Sequence, residues 1–255
     1  MKLASWNINS LRQRAGHVIK WLDAHDPDIL MLQELKAESL PDDFSPEECG
    51  YSIQSNAQKT YNGVAILSKG ESELIADCLP GMEDDSQARY LEVDYLGWRL
   101  INIYAPNGNP LDSDKFTYKL AWLERLYDHL LSLRQCAVPF VIGGDFNIIP
   151  EPQDCYDPSA WAGDALFDFR ARRFWRMMVN LGLYDAFRIH NKNGGQYSFW
   201  DYQGGAFQAD KGIRIDHFLL SPPACDTMRY CSIDRGPRSW DKPSDHTPIT
   251  LELAA

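Results

Sequence analysis

Seven apolar runs with strand character punctuate the chain, at residues 2–8, 28–34, 63–68, 98–105, 139–145, 213–221 and 247–253. Between them, three segments carry a helical period. In 115–134, Phe116, Leu120, Leu123, Tyr127 and Leu130 recur at spacings of four and three, which predicts one apolar stripe on a helix. Residues 165–182 repeat the pattern through Phe174, Met177, Met178 and Leu181 and close at Gly182, and 12–24 form a shorter helix around Val18, Ile19 and Leu22. Strands outnumber helices, and several lie close together with turn residues between them. This favours an α/β fold with a mixed sheet over a pure βαβ wind. With no linker, repeat or low-complexity stretch, the expectation is a single domain over 1–255.

The strand-like runs share an oddity: they end in oxygen-bearing side chains. The first ends in Asn7 and Asn9, the second in Gln33 and Glu34, and "GGDFN" delivers Asp145 and Asn147. Asp216 sits amid Ile215, Phe218 and Leu219, and Asp245–His246 precedes the last strand. Residues two apart on a strand share a face, so Asp145 and Asn147 can converge on one point. Taken singly, an Asn or Asp at a strand end is more often a turn-former bonded to its own backbone. Asp216 is different, because an unpaired carboxylate inside a strand costs several kcal/mol or more, and a nearby histidine is its natural partner. If the five ends gather at one edge, their donors are nearly all oxygens. That suits a hard cation, Mg²⁺ or Mn²⁺, and disfavours zinc. A cation, carboxylates and a histidine around a phosphate make a set for hydrolysing phosphate esters.

Charge complicates that reading. The formal net charge is -11, and nucleic-acid binding normally draws on phosphate neutralisation by Lys and Arg. Acidic residues concentrate in 38–48 and 71–94, where a solvated face is expected. Basic ones concentrate in 170–178, with Arg188, Lys192, Arg12 and Arg14. Segregated charge of this kind would let a basic rim meet DNA. Six cysteines without paired spacing predict reduced thiols, and neither a secretory leader nor a membrane-spanning run is read, so a cytoplasmic location is expected.

Eight blocks in order carry a resemblance: "SWNINSLR", "LQELK", "YNGVAILS", "YAPNGNP", "GGDFNIIP", "SFWDY", "GIRIDHFLLS" and "PSDHTPI". From residue 3 to about 251 the chain resembles the exonuclease III branch of the endonuclease/exonuclease/phosphatase superfamily, DNA-repair enzymes that act at abasic sites. The resemblance implies a two-sheet mixed β-sandwich flanked by helices, in four layers α/β/β/α, with the site at one rim. It implies Mg²⁺ (Mn²⁺ as a substitute), double-stranded DNA with abasic sites or blocked 3′ ends as partner, and a monomer.

By matching position, Glu34 becomes the principal metal ligand with Asn7 beside it, and Asp145, Asn147, Asp245 and His246 complete the metal set. Asp145 would position and deprotonate the attacking water, and Asn147 would bond the scissile phosphate. Asp216 would hold His246, and Tyr104 would donate to the phosphate or ease departure of the leaving group. Asn107 would touch the DNA backbone, while Phe199, Trp200 and Ile215 match a pocket for a baseless sugar. The chain departs from some members at Asn9, where they carry an aspartate, and at Ile213, where they carry an aromatic residue. Two other readings compete: a phosphatase or non-repair nuclease of the same superfamily, and an inactive DNA-binding module. The presence of Glu34, Asp145, Asn147, Asp216 and His246 together disfavours the latter.

Overall fold

The computed structural model describes residues 1–41, 44–136 and 138–254. Twelve strands and five helices follow one another along these residues. In chain order they are β1 (Lys2–Asn7), α1 (Leu11–His25), β2 (Ile29–Gln33), β3 (Tyr51–Asn56), β4 (Val64–Lys69), β5 (Glu73–Ala76), β6 (Tyr90–Tyr95) and β7 (Trp98–Tyr104). Then come α2 (Asp114–Gln135), β8 (Phe140–Asp145), α3 (Phe169–Asn180), β9 (Tyr184–Asp185), α4 (Ala186–His190), β10 (Asp216–Leu220), α5 (Pro222–Asp226), β11 (Met228–Ile233) and β12 (Ile249–Leu253). They form two six-stranded sheets, ordered β11-β12-β1-β2-β4-β3 and β5-β6-β7-β8-β10-β9. Both are mixed: β1 runs parallel to β2 and β7 to β8, each pair joined by a helix, and the remaining neighbours are antiparallel.

Strand parity builds the layers. On β2, Ile29 and Met31 face the second sheet, while Leu30 and Leu32 face Val18, Trp21 and Leu22 of α1. On β8, Val141 faces the first sheet, while Phe140 and Ile142 pack under Trp122 and Leu126 of α2 and Trp175 of α3. Two glycines of β8 are required by close approach. A Cβ on Gly143 would lie 2.4 Å from the Phe218 ring, and one on Gly144, whose φ is +140°, 2.0 Å from the Ile103 carbonyl oxygen.

Some sequence expectations need correction. The buried stripe of α2 runs through Phe116, Lys119, Leu123, Leu126, Leu130 and Leu133, with Leu120 and Tyr127 only half-buried, so a lysine stands in the apolar face. The third helix begins at Phe169 and not at 165, because the Asp168 side chain accepts the Arg170 N–H and caps it there. The strand expected from 213 begins at Asp216, while Ile213 bridges instead to Cys155 and Phe199.

The strands β3, β5, β6 and β11 were not legible as apolar runs. Within the acidic stretch 71–94, β6 is interior: Leu91 and Val93 are in the core. Glu92 is buried against Tyr90, Arg99 (2.7 Å) and His129 (3.0 Å). Of the stretch 38–48, Asp42 and Asp43 lie outside the described residues. Gln33, read as a site-facing end, instead ties the sheets together. Its Nε2 donates to Ser5 Oγ (3.0 Å) and Asn102 Oδ1 (2.7 Å), while Asn102 donates to the Leu32 and Ala65 carbonyls. No helix among the described residues is long and apolar enough to cross a membrane.

Behind β10 lies a buried charge network. Arg214, 1% exposed, donates to Asp154 (2.7 Å) and Asp185 (2.8 Å), and its Nη1 donates to His217 Nδ1 (2.9 Å). Because Nδ1 must accept, the proton sits on Nε2, which donates to the Ile148 carbonyl (3.0 Å). Burial, with Arg214 beside it, pushes the His217 pKa down to about 3. The unfolded chain therefore binds one more proton than the native one between about pH 3 and 6.5. Stability from this group is full above 6.5 and lost as pH falls through that window, at up to about 1.4 kcal/mol per pH unit. Urea unfolding of His217→Phe is expected to show a pH slope shallower by up to one proton across that range, whatever its absolute stability. An unchanged slope would show that His217 is not held neutral.

Candidate active site

Strand register brings the polar ends together at one rim of the sandwich. Asn7 closes β1 opposite Gln33, Tyr104 closes β7 opposite Asp145, and Asp216 opens β10 opposite the same Asp145. Asn7 belongs to the first sheet and Asp145 to the second, so the site straddles the junction. Asn7 bridges it: its amide nitrogen donates to Glu34 Oε1 (2.9 Å) and Asp145 Oδ2 (3.0 Å). Just past their strands, Glu34 and Asn147 take left-handed backbone, with φ of 56° and 49°, which turns each chain sharply at the rim. That local strain sits where the side chains converge.

Asp145 Oδ1 accepts the Asn147 backbone N–H (2.9 Å). The Asn147 side chain donates to the Ala105 carbonyl (2.8 Å) and accepts from Asn107 at 3.4 Å. His246 Nδ1 lies 2.8 Å from Asp216 Oδ2, which also receives the Ser198 hydroxyl at 2.6 Å. With Nδ1 donating to that carboxylate, Nε2 is turned toward Asp145 Oδ2, 3.8 Å away. One ligand atom each from Glu34, Asp145 and His246 lie within 4.8 Å of one another.

Electrostatics separate the roles of these groups. Burial disfavours a charged His246, but Asp216, joined by Asp145 and Asp245, outweighs it and lifts the imidazole to about 10. Burial raises the Asp145 carboxyl to about 7, with the attraction of His246 opposing and the repulsion of Asp216 reinforcing. Burial also raises Glu34, yet the Lys36 ammonium at 2.6 Å and the Asn7 amide more than offset it and hold the carboxyl below its ordinary value. Tyr104 is driven well above the usual phenol range by burial and by Glu34 and Asp145, so it stays a neutral donor. A buried carboxylate lifted this far is what a hard divalent cation between Glu34 and Asp145 would relieve, and the oxygen-rich donor set fits Mg²⁺.

Other expected residues are placed differently. The Asp245 carboxylate accepts from Asn9 Nδ2 (3.0 Å) and stands outside the trio formed by Glu34, Asp145 and His246. The Phe199 ring lies 4.9 Å from that of His246 and lines the adjacent cavity. Trp200 does not line it: the indole is fully enclosed, donates to Asp210 (3.2 Å) and packs on Tyr197 and Ala206. Ile215, 2% exposed, belongs to the packing beneath the cavity, whereas Ile213 forms its wall. Arg14, assigned to the basic rim, is buried. It donates to the Ile8, Asn9, Lys242 and Pro243 carbonyls and to the Tyr202 hydroxyl, fastening the Asn9 turn to the loop that leads to Asp245.

Sequence reasoning missed Ser198, Lys36 and Lys119. Lys119 is fully enclosed under the Asn147 turn, and its ammonium donates to the carbonyls of Asn147 (2.6 Å), Asn107 (3.0 Å) and Ala165 (3.2 Å). The one available signal was a lysine falling on the apolar spacing of α2.

The profile of the Endonuclease/Exonuclease/phosphatase family matches residues 4–246. Exodeoxyribonuclease III of Haemophilus influenzae is 32% identical over 99% of this chain and 100% of its own. Among solved structures, an AP endonuclease from Archaeoglobus fulgidus superposes with a TM-score of 0.94 at 37% identity over all of both chains. A 3′ phosphatase, NExo, from Neisseria bound to a product DNA hairpin gives the same TM-score, identity and coverage. The chain thus belongs to the endonuclease/exonuclease/phosphatase family, and within it to the exodeoxyribonuclease III and AP endonuclease hydrolases.

Proposed function

We propose that this hydrolase cleaves the phosphodiester 5′ to abasic sites in double-stranded DNA and also trims or dephosphorylates 3′ ends. In this reading it acts as one monomeric catalytic domain over 1–255 in the cytoplasm, with Mg²⁺ as its cofactor and Mn²⁺ as a substitute. The observation that carries it is the convergence of Glu34, Asp145 and His246 within 4.8 Å, with Asn7 bonded to both carboxylates. Glu34 and Asp145 would hold the ion, with Asn7, Asn147 and Asp245 close at hand, while the protonated His246 stands beside it as a donor. Bound there, Mg²⁺ would supply Lewis-acid polarisation of the phosphoryl group and offset its growing charge.

The chain's own residues do the rest. Asp145 is held with Oδ2 bonded to Asn7 and Oδ1 to the Asn147 N–H, and each oxygen keeps a second lone pair with which to orient water and take its proton. Asp216 fixes the imidazole through Nδ1, leaving the cationic edge of His246 toward a phosphate oxygen. Asn147 and the neutral Tyr104 phenol donate to the same group, and Asn107 meets the neighbouring backbone. The products are a 3′-hydroxyl and a 5′-deoxyribose phosphate. Removal of a 3′-phosphate or a 3′ nucleotide is the same displacement on a different 3′-side ester.

The test is an oligonucleotide duplex with one tetrahydrofuran site, run beside an intact duplex, a 3′-phosphate end and an inositol phosphate, with and without chelator. Strand cleavage at the tetrahydrofuran and release of 3′-phosphate, both abolished by chelator, are expected. Turnover of inositol phosphate alone would overturn the reading.

Surface charge adds a second expectation. Arg170 pairs with Asp168, Arg172 and Arg176 with Glu151, and Arg188 with Asp154, and Arg14 is buried, which leaves Arg12, Arg173 and Lys192 as the members of the anticipated basic set that are neither buried nor ion-paired among the described residues. Few phosphates can then be neutralised. The slope of log affinity against log salt should be no steeper than about -4, at roughly 0.9 per phosphate. A slope near -8 would show a basic surface that this charge distribution does not provide.

A further inference from the structure

Just past β2 the chain places two opposite charges, Glu34 and Lys36, on either side of the buried Leu35. The Leu35 and Lys36 N–H groups donate to the Gly63 and Asn62 carbonyls (3.1 and 3.0 Å), which ties this segment to the turn before β4. Glu34 and Lys36 both take left-handed backbone, with φ of 56° and 51°, a region that side chains with a Cβ seldom occupy. Their side chains meet at the rim. The Lys36 ammonium lies 2.6 Å from Glu34 Oε2 and donates to Asn9 Oδ1 at 2.7 Å. A surface lysine ordinarily keeps its ammonium in water. This one is turned onto two oxygens of the site, and its side chain is only 30% exposed.

The contacts divide Glu34 between two neighbours. Oε1 accepts from Asn7, whose amide also bridges to Asp145, and Oε2 takes the ammonium. Beyond the ammonium, the Asn9 amide is fixed at both ends, with Oδ1 on Lys36 and Nδ2 donating to Asp245 Oδ1 (3.0 Å). Lys36 therefore stands between Glu34 and the Asn9–Asp245 pair, on the Glu34 oxygen that the Asn7 bridge does not use. Asn9 gives it a neutral oxygen and adds no charge that would hold a further divalent ion. When ionised, Glu34, Asp145, Asp216 and Asp245 bring four negative charges to the site, and His246 and Lys36 bring two positive ones. Arg14, close by, bonds carbonyls and a hydroxyl and no carboxylate. The two remaining negative charges are what one divalent cation neutralises. Without the ammonium three would remain.

We propose that Lys36 is the built-in second cation of this site: its ammonium occupies the Oε2 side of Glu34, limits the site to one divalent ion and keeps that ion loosely held. The inference rests on the reading that a divalent ion binds between Glu34 and Asp145, and names the residue that sets how many ions bind and how tightly. An ammonium on the same carboxylate both competes for its lone pairs and repels a like charge. The substrate then matters to the ion as well as the reverse, because a phosphate brings the negative charge that the ammonium has cancelled. Mg²⁺ commonly leaves positions to substrate phosphate in this way.

Mn²⁺ binding in the absence of DNA tests this without any turnover, with free ion counted by electron paramagnetic resonance during a titration. Acidic residues elsewhere on a chain of net charge -11 also hold Mn²⁺, so Glu34→Gln is titrated alongside and its curve subtracted. Wild type should hold one ion at the site. Lys36→Met keeps most of the stem and drops the charge; it should bind that ion about tenfold or more tightly, since a like charge a few ångströms away is gone. It should also take up a second ion. Lys36→Arg, which keeps the charge, should bind one ion within a few-fold of wild type.

An unchanged curve for Lys36→Met would reduce Lys36 to a surface ion pair, and weaker binding would make it a group that merely orients Glu34; either overturns the proposal. Two site ions in the wild type overturn it as well. If neither wild type nor Lys36→Met binds above the Glu34→Gln baseline, the cofactor of the proposed function fails and the inference falls with it. A wild type that binds one ion yet cuts neither the tetrahydrofuran site nor any 3′ end would instead refute that function and leave the part of Lys36 standing.

Discussion

Asp145→Asn is expected to lower turnover at a tetrahydrofuran site by about 10³-fold or more while DNA affinity stays within a few-fold of wild type. The size follows from what the carboxylate supplies: general-base assistance is typically worth about 10²–10⁴, and loss of an anionic donor to the cation adds to it. The amide is nearly isosteric and can still accept the Asn147 N–H through its oxygen. Its nitrogen, however, would face the Asn7 amide nitrogen, which now donates to Asp145 Oδ2 at 3.0 Å. Two donors cannot satisfy each other, so the Asn7 bridge to the first sheet would loosen. Burial already raises the Asp145 carboxyl to about 7, with the pull of His246 opposing and Asp216 reinforcing, so removing its charge should not unfold the protein. Single-turnover cleavage with a parallel binding titration reads both quantities. Wild-type turnover in the variant would remove Asp145 from the mechanism, and equal loss of binding would reassign it to substrate affinity.

The second large effect is on stability. Lys119→Met should cost about 2–4 kcal/mol and reduce turnover roughly tenfold. Two effects compete. Burial pushes the Lys119 ammonium down to about 7, with Asp145, Asp164 and Asp168 opposing, so replacing the charge relieves some desolvation. Against this, three enclosed carbonyls lose their shared donor, at about 1 kcal/mol or more each, and hydrogen bonds to a charged donor lie at the upper end of the range. The carbonyls win. The stem matters as well, since a Cβ on Gly108 would come within 2.6 Å of the Lys119 side chain, and the lysine thereby fills the space beneath the Asn107 turn. Because the carbonyls belong to Asn107, Asn147 and Ala165, the loss should fall on the two asparagines that meet the substrate and so on turnover. Urea unfolding and single-turnover rates read it, and a variant equal to wild type in both would show that the ammonium is dispensable to these turns.

The strands that cross the middle of each sheet, β6 excepted, were legible because they are apolar on both faces, one packing on the other sheet and one on a helix; in β6 the apolar run is broken by Glu92 and Asp94. The ends at which they break into Asn7, Glu34, Asp145 and Asp216 were legible for the same reason: oxygen-bearing groups interrupt runs that core packing would have continued. The outer strands β3, β5 and β11 were not, since water reaches much of each and so short a run carries little period-two alternation.

The sequence by itself determined the chemistry on offer: carboxylates, carboxamides and a histidine at strand ends, an oxygen-rich donor set, and an order of blocks that identifies a family. Only the tertiary structure decided which of them meet. It placed Asp145 opposite Asp216 and Tyr104 through strand register, and it turned Gln33 into the sandwich and Glu34 out to the rim. It also sent Trp200 into packing while bringing Trp161 to the cavity. Adjacent residues point to opposite faces of an extended chain, and the faces acquire meaning only when something packs against them. For Phe199–Trp200 and Ile213–Ile215, that choice rests on distant segments, residues 155–166 and 206–210, to which local sequence is blind.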